Sequence, residues 1–351
     1  MDGSLKDVLF ATTADRRVNA LDLPSCALRS PTAGIQDSPV LSCLALRENH
    51  MVFASMSGQI VIADLAGNIV EKRRDHAKYV VSVKIFDRAE RSLLATAAWD
   101  NKINIYNLST SGPPTLGDPI ATINLPSKPE SILFLQHPES QQPILLVSRT
   151  DSTHLYYYTT ETEPRLLGRQ NLAPHSNAWV AFTPSALAIC PTDPSLLACA
   201  TSAVPSMKLL IARMLIPPWN IETTSAPPTL LRTSLLDDNP GVTETQASQA
   251  RVALALSDKE DAAILIHCTT LSPQSAYSTP AVAWRPDGSG VWVNGDDGAI
   301  RGIEAASGKI IATLKGHDPG SKVRCLWAGN VDGKEWLVSG GFDQKLIVWK
   351  T

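Results

Sequence analysis

Long apolar runs are missing from this 351-residue chain, and nowhere do uninterrupted apolar residues approach the roughly 18 positions that a membrane-crossing helix needs. No insertion into a membrane is expected. Cysteines are few and scattered: Cys26, Cys43, Cys190, Cys199, Cys268 and Cys325 show no Cys-x-x-Cys spacing. A zinc ribbon or a disulfide framework would need clustered ligands or a small secreted chain, so these residues are expected as buried thiols. A dominant charge sign is also lacking, with 31 basic against 34 acidic residues and a net charge of -3. No long single-sign run offers a track for a phosphate backbone, which argues against nucleic acid as the principal partner. The opening MDGSLKDVLFATTADRR has no basic stretch followed by an apolar core of signal-peptide length. The expectation is an intracellular protein, cytoplasmic or nuclear, that is not secreted.

The spacings that mark catalysis are missing as well. There is no Gly-x-Ser-x-Gly, no His-Glu-x-x-His, no Walker-type glycine loop and no Gly-x-Gly-x-x-Gly after a strand, and the seven histidines are dispersed. Carboxylate pairs do occur at Asp237-Asp238, Asp296-Asp297 and between Asp258 and Asp261. Neighbouring residues on a strand point to opposite faces, whereas a calcium site needs several converging oxygens, so these acids read as turn residues. Neither a metal nor another cofactor is expected, and the chain is expected not to be an enzyme.

What the chain does contain is short apolar runs of Val, Ile and Leu, separated by turns rich in Asp, Gly, Asn, Ser and Pro. That pattern predicts many short antiparallel strands and little helix. The runs repeat. WLVSGGFDQKLIVW (336–349) overlays LLATAAWDNKINIY (93–106) without a gap, so that Ser339 meets Thr96, Asp343 meets Asp100 and Trp349 meets Tyr106. VLFATTADRRVNAL (8–21) and GVWVNGDDGAIRGI (290–303) put Asp15 and Asp297 at the same place, with looser copies from Met51, Ile144 and Leu196. Repeats at this spacing mark propellers and related arrays, because one small sheet cannot bury both faces alone. The fold class is therefore all-β, a single β-propeller over residues 1–351.

These residues resemble the WD-repeat family, the last repeat most closely: Gly316-His317, VRCLWA, WLVSGG, a turn at Asp343 and LIVW ending in Trp349. The resemblance implies four-stranded blades and a hydrogen-bonded tetrad, here His317, Ser339, Asp343 and Trp349. A second set is His76, Thr96, Asp100 and Tyr106, where tyrosine departs from the tryptophan. Candidate innermost strands are SPVLSCLAL, VVSVKIF, SILFLQH, ALAIC, RVALAL, AVAWR and VRCLWA, which gives seven blades; counting middle hairpins gives up to eight. An N-terminal segment is expected to supply the outer strand of the last blade and close the ring. The Pro/Thr/Ser-rich stretch at about 217–250 reads as a long loop insertion with at most one strand, TLLRTSLL.

The resemblance further implies a rim that receives peptides and proteins. The residue before the turn Asp faces that rim, and here it is Trp99, Phe342, Ala14 or Asp296. Aromatics and arginines dominate binding hot spots, so the expected partner-binding residues are Trp99, Phe342, Arg16 and Arg17, with Lys78, Tyr79 and Lys322 from the preceding loops. Trp284, Trp292, Trp327 and Trp336 are expected in the core between blades, while Trp179 and Trp219 lie near loops. The expected function is a scaffold or adaptor subunit holding one or more proteins or peptides in a multiprotein complex. The alternatives are a calcium-dependent hydrolase or lactonase, a ubiquitin-ligase substrate receptor, and a reader of modified peptides.

Overall fold

The computed structural model describes residues 8–350 apart from 14–15, 24, 28–36, 47–48, 65, 89–90, 110–111, 176–181 and 220–239. A two-stranded ribbon, β1 (Val8–Thr12) and β2 (Val18–Asp22), comes first. Five four-stranded antiparallel sheets follow, in which each strand pairs with its neighbour in sequence. They are β3 (Val40–Ala45), β4 (His50–Ser55), β5 (Ile60–Asp64) and β6 (Ile69–Arg73); then β7 (Val80–Arg88), β8 (Arg91–Ala98), β9 (Lys102–Asn107) and β10 (Ala121–Asn124). The third holds β11 (Pro129–Gln136), β12 (Pro143–Arg149), β13 (His154–Thr159) and β14 (Leu166–Asn171). The fourth holds β15 (Pro184–Ile189), β16 (Leu196–Thr201), β17 (Ser206–Arg213) and, after helix α1 (Pro240–Ala262), β18 (Ile264–Pro273). The fifth is β19 (Val282–Trp284), β20 (Gly290–Val293), β21 (Ala299–Glu304) and β22 (Ile310–Lys315), and a three-stranded sheet of β23 (Val323–Val331), β24 (Lys334–Gly341) and β25 (Leu346–Lys350) ends the chain.

The apolar runs of the sequence have a direct cause in this arrangement. Each second strand lies between two neighbouring sheets and is buried on both faces, as in β8 (SLLATAA) and β12 (PILLVS), so it needs no polar alternation. Fourth strands lie at the outer edge and do alternate, as in β10 (ATIN) and β22 (IIATLK). Side chains from adjacent sheets share cores. Leu94, Val80 and Tyr106 of the second sheet pack with Val52, Ile60 and Ile62 of the first, and Leu93, Ile103 and Ile105 pack with Ile132, Leu145 and Val147 of the third. The β1–β2 ribbon sits between the ends of the series: Val18 and Phe10 pack on Met51 and Phe53, while Leu9 and Leu23 pack on Val331, Trp336 and Val348.

Four expectations need correction. Six sheets of three or four strands are clear, and the ribbon is not a full seventh, so neither seven nor eight complete blades is seen. RVALAL is not an innermost strand: Arg251–Leu256 belongs to α1, which occupies part of the stretch expected as loop, whereas TLLRTSLL lies outside the described residues. Pro240 suits the first helical position, where its missing N–H costs nothing. The helix is anchored at its other end, where buried Glu260 accepts the Asn171 backbone N–H at 2.7 Å. Third, among the described residues β1 pairs with β2 and β25 with β24, so no N-terminal strand is seen on the last sheet. Finally, Cys325 is exposed and Cys26, Cys43 and Cys268 are half-buried, leaving only Cys190 and Cys199 as buried thiols; all six are free.

Candidate functional site

One backbone hydrogen bond recurs around the ring and defines a rim. The residue that follows the second strand donates its N–H to the residue that precedes the first: Met56 to Pro39, Trp99 to Tyr79, Thr150 to Lys128, Ser202 to Thr183 and Phe342 to Lys322, all at 2.8–3.0 Å. The loop ahead of each first strand and the turn after its second strand are thereby tied side by side. Gly58 in one such turn has φ +86°, and a Cβ there would lie 2.2 Å from the His76 carbonyl of the next loop.

A second regularity lies just below. In five sheets the register slips after the first residue of the first strand, between Val40 and Ser42, Val80 and Ser82, Pro129 and Ser131, Pro184 and Ala186, and Val323 and Cys325. Bulges re-aim the extra residue. The residues singled out are Leu41, Val81, Glu130, Ser185 and Arg324, of which two are charged.

On this rim Trp99 is 37% exposed and stacks on Tyr79 with ring centroids 5.2 Å apart, and the Lys128 ammonium lies 4.8 Å from the centre of the indole. Phe342 is 62% exposed, with the Arg324 guanidinium 4.9 Å over its ring. The two aromatics thus stand on different blades, each beside its own cation. Lys78 is exposed next to Tyr79. Lys322 is drawn into a polar cluster, its Nζ 2.9 Å from Ser275 Oγ and 3.0 Å from Asp296 Oδ2. Arg16, in a left-handed conformation (φ 68°), and Arg17 are exposed on the separate β1–β2 turn; Ala14 and Asp15 lie outside the described residues.

Sequence reasoning missed Lys128, Arg149, Arg324 and Glu130. The signal was available, since Lys128 stands at the position already singled out as Tyr79 and Lys322, one residue before the first strand. Burial pushes the Glu130 carboxyl up to about 7, against the attraction of Lys128, and Asp151 adds to the rise. A raised carboxyl keeps more protons folded than unfolded, so its contribution makes stability fall as pH rises from about 4.5 to about 7. Glu130→Gln removes that penalty. Thermal or urea unfolding is expected to show the variant equal to wild type at pH 4.5 and about 1–3 kcal/mol more stable at pH 8; an unchanged difference across that range would contradict the assignment.

Beneath the rim, hydrogen-bond chains tie turn to strand. His317 Nδ1 is 2.9 Å from Asp343 Oδ2 and its Nε2 is 2.8 Å from Ser339 Oγ, which also accepts the Trp349 indole N–H at 3.1 Å. With Nδ1 protonated toward the carboxylate, Nε2 accepts the serine hydroxyl, and every polar atom in the chain is paired. Burial works to raise the Asp343 carboxyl, but His317 and the N–H groups of Asp318 and Lys345 hold it below the usual range. In the second set, His76 joins Asp100 (3.1 Å) and Thr96 (2.8 Å), whereas the Tyr106 hydroxyl turns away to donate to Asp75 at 2.8 Å. Burial lowers the His76 pKa and raises that of Tyr106.

Toward the other end of the first strands, Ala188, Pro191, Trp284, Pro286 and Trp327 line an open, largely apolar depression of about 370 Å³. Trp327 is 37% exposed there, a correction to its expected core position, while Trp284, Trp292 and Trp336 are buried. Trp219 packs edge-on against His137 at 5.2 Å, and Trp179 lies outside the described residues. The acids considered for calcium are otherwise engaged: Asp296 as above, Asp297 with Arg301 at 2.6 Å, and Asp258 3.8 Å from His175. Asp237 and Asp238 lie outside the described residues. Among the described residues no group of three or more His, Cys, Asp or Glu is placed to hold a metal, and no helix is long and apolar enough to cross a membrane.

The family description UCP007778, beta-propeller domain, matches residues 5–350. The chain belongs to this β-propeller family. Among solved structures it is similar to the computationally designed Ika8 protein, at a TM-score of 0.55 and 14% sequence identity, over 99% of this chain and 94% of that one. At that identity the likeness carries the fold alone. No curated protein matches the sequence. The UCP007778 assignment and the recurring rim bond thus agree on a propeller.

Proposed function

We propose that this propeller is a non-catalytic interaction subunit that binds other proteins through its rim. The observation that carries the reading is the pair of exposed aromatics, Trp99 and Phe342, each projected by an equivalent turn and each beside a cation from the neighbouring loop or strand. Large amphipathic rings on a rigid frame lose little entropy on binding, and aromatics with Arg dominate interface energetics. The WD-type reading is kept as part of the proposal. It is supported by the His317–Ser339–Asp343–Trp349 chain and by the β1–β2 turn, whose Thr13 N–H to Arg17 carbonyl bond matches that from Gly341 to Lys345; the ribbon then counts as a reduced seventh blade.

A scaffold in an intracellular complex is preferred to a calcium-dependent hydrolase because Asp296 and Asp297 already have cationic partners in Lys322 and Arg301. Stoichiometric calcium in purified protein would reverse that preference. The rim itself is tested by affinity purification with Trp99→Ala and Phe342→Ala. Loss of recovered partners with retained thermal stability is the expected result; an unchanged partner set would show that the rim is not the binding surface.

A further inference from the structure

The rim is unevenly charged. Around the last two blades most of its cations are matched, Lys322 by Asp296 at 3.0 Å, Arg301 by Asp297 at 2.6 Å and Lys345 by Asp318, while Arg324 lies over the Phe342 ring. Around the second and third blades they are not. Lys78 and Lys128 are exposed and Arg149 is half-buried, and none of the three forms an ion pair with a described carboxylate. The nearby acids are committed elsewhere: Asp75 to Arg73 and the Tyr106 hydroxyl, and Asp100 to His76 and the Ala77 N–H. Glu130 is buried enough to be only partly ionised at neutral pH, which leaves Asp151 as the exposed acid in this sector.

Lys128 lies over one apolar seat, and the other two cations belong to the loop and the strand end that are tied beside it. Lys78 adjoins Tyr79, Tyr79 stacks on Trp99, Lys128 lies over the Trp99 indole, and the Thr150 N–H to Lys128 carbonyl bond brings Arg149 alongside, its guanidinium 2.9 Å from Ser127 Oγ. We propose that this sector takes an acidic peptide segment of a partner protein, with carboxylates held by Lys78, Lys128 and Arg149 and an apolar side chain packed on the Tyr79–Trp99 pair. The proposal rests on the reading of the rim as a protein-binding surface and names the chemistry it selects. Cations beside an aromatic also suit single-stranded nucleic acid, but base stacking needs a free ring face. Here the indole already stacks on Tyr79 and carries the Lys128 ammonium, which does not suit the stacking of a base.

The test is fluorescence anisotropy on the full chain with a labelled peptide in which glutamates flank one phenylalanine. A glutamine-for-glutamate version and a labelled oligothymidylate serve as comparison probes. The glutamate peptide is expected to bind at low salt, to weaken as salt rises, and to exceed the glutamine peptide by at least about tenfold. Lys78→Glu combined with Lys128→Glu, and separately Trp99→Ala, are expected to reduce binding about tenfold or more with unchanged melting temperature. Lys315→Glu on the outer strand β22 and Phe342→Ala should leave it intact. No binding of the acidic peptide, equal binding of the glutamine peptide, indifference to the charge reversals, or tighter binding of oligothymidylate would each overturn the proposal. The rim reading fails separately, when Trp99→Ala and Phe342→Ala leave the purified partner set unchanged.

Discussion

His317→Ala is expected to lower the unfolding free energy by about 3–4 kcal/mol, because it opens a chain of buried polar groups at its centre. The imidazole side chain is wholly buried, and the Asp343 side chain is 1% exposed. Without the ring, Asp343 loses its charged or polar partner, Ser339 Oγ loses an acceptor, and the Trp349 N–H is left with a serine free to rotate. Stranding buried donors and acceptors costs about 1–3 kcal/mol for each group, and the emptied volume adds to that. The turn at Asp343 carries Phe342, so the damage also reaches the rim. Urea denaturation followed by tryptophan fluorescence measures the change; a loss below about 1 kcal/mol would mean that the chain contributes little to the last blade.

Glu335→Ala is expected to cost about 2–4 kcal/mol by a different route. Glu335 on β24 reaches across to the fifth sheet, where it accepts Arg285 Nη2–H at 2.7 Å and Arg285 Nε–H at 3.0 Å, and its other oxygen accepts the Trp292 indole N–H at 3.0 Å. Its side chain is 11% exposed and that of Arg285 27%, so truncation leaves a partly desolvated guanidinium and a buried indole donor without the carboxylate. Paired with that carboxylate, Arg285 is held above the ordinary guanidinium range. Glu335→Gln keeps the shape and one acceptor and should lose only about half as much. Equilibrium unfolding of both variants decides the matter; alanine within about 0.5 kcal/mol of wild type would show that the clamp between sheets is not needed.

The strands were readable because each blade writes its own pattern locally. Six of the seven segments proposed as innermost strands hold the first strands β3, β7, β11, β15, β19 and β23. The seventh, RVALAL, alternates large and small apolar residues as a strand would, yet lies in α1 with Val252, Leu254 and Leu256 exposed. Among the described residues of this helix Glu260 is the one that is buried, and the sequence shows no apolar stripe of helical period there, so periodicity could not reveal it. The same limit applies to the site. Trp99 and Phe342 were marked by their offset from a repeated aspartate, and Lys78, Tyr79 and Lys322 by the loops before the first strands; Lys128 holds the same loop place before β11, but the third blade's turn at Asp151 carries no aromatic to draw attention to it or to Arg149. The Glu335 clamp joins residues 43 and 50 positions apart, and no local pattern records such a pairing.

The central claim is that partners are held at the rim through Trp99 and Phe342. The direct measurement is quantitative affinity purification from native cells, comparing wild type, the Trp99→Ala/Phe342→Ala double variant and Lys315→Glu. The account predicts that the double variant, folded as judged by an unchanged melting temperature, loses the principal partners by about tenfold or more while Lys315→Glu retains them. Equal recovery from all three proteins would contradict it.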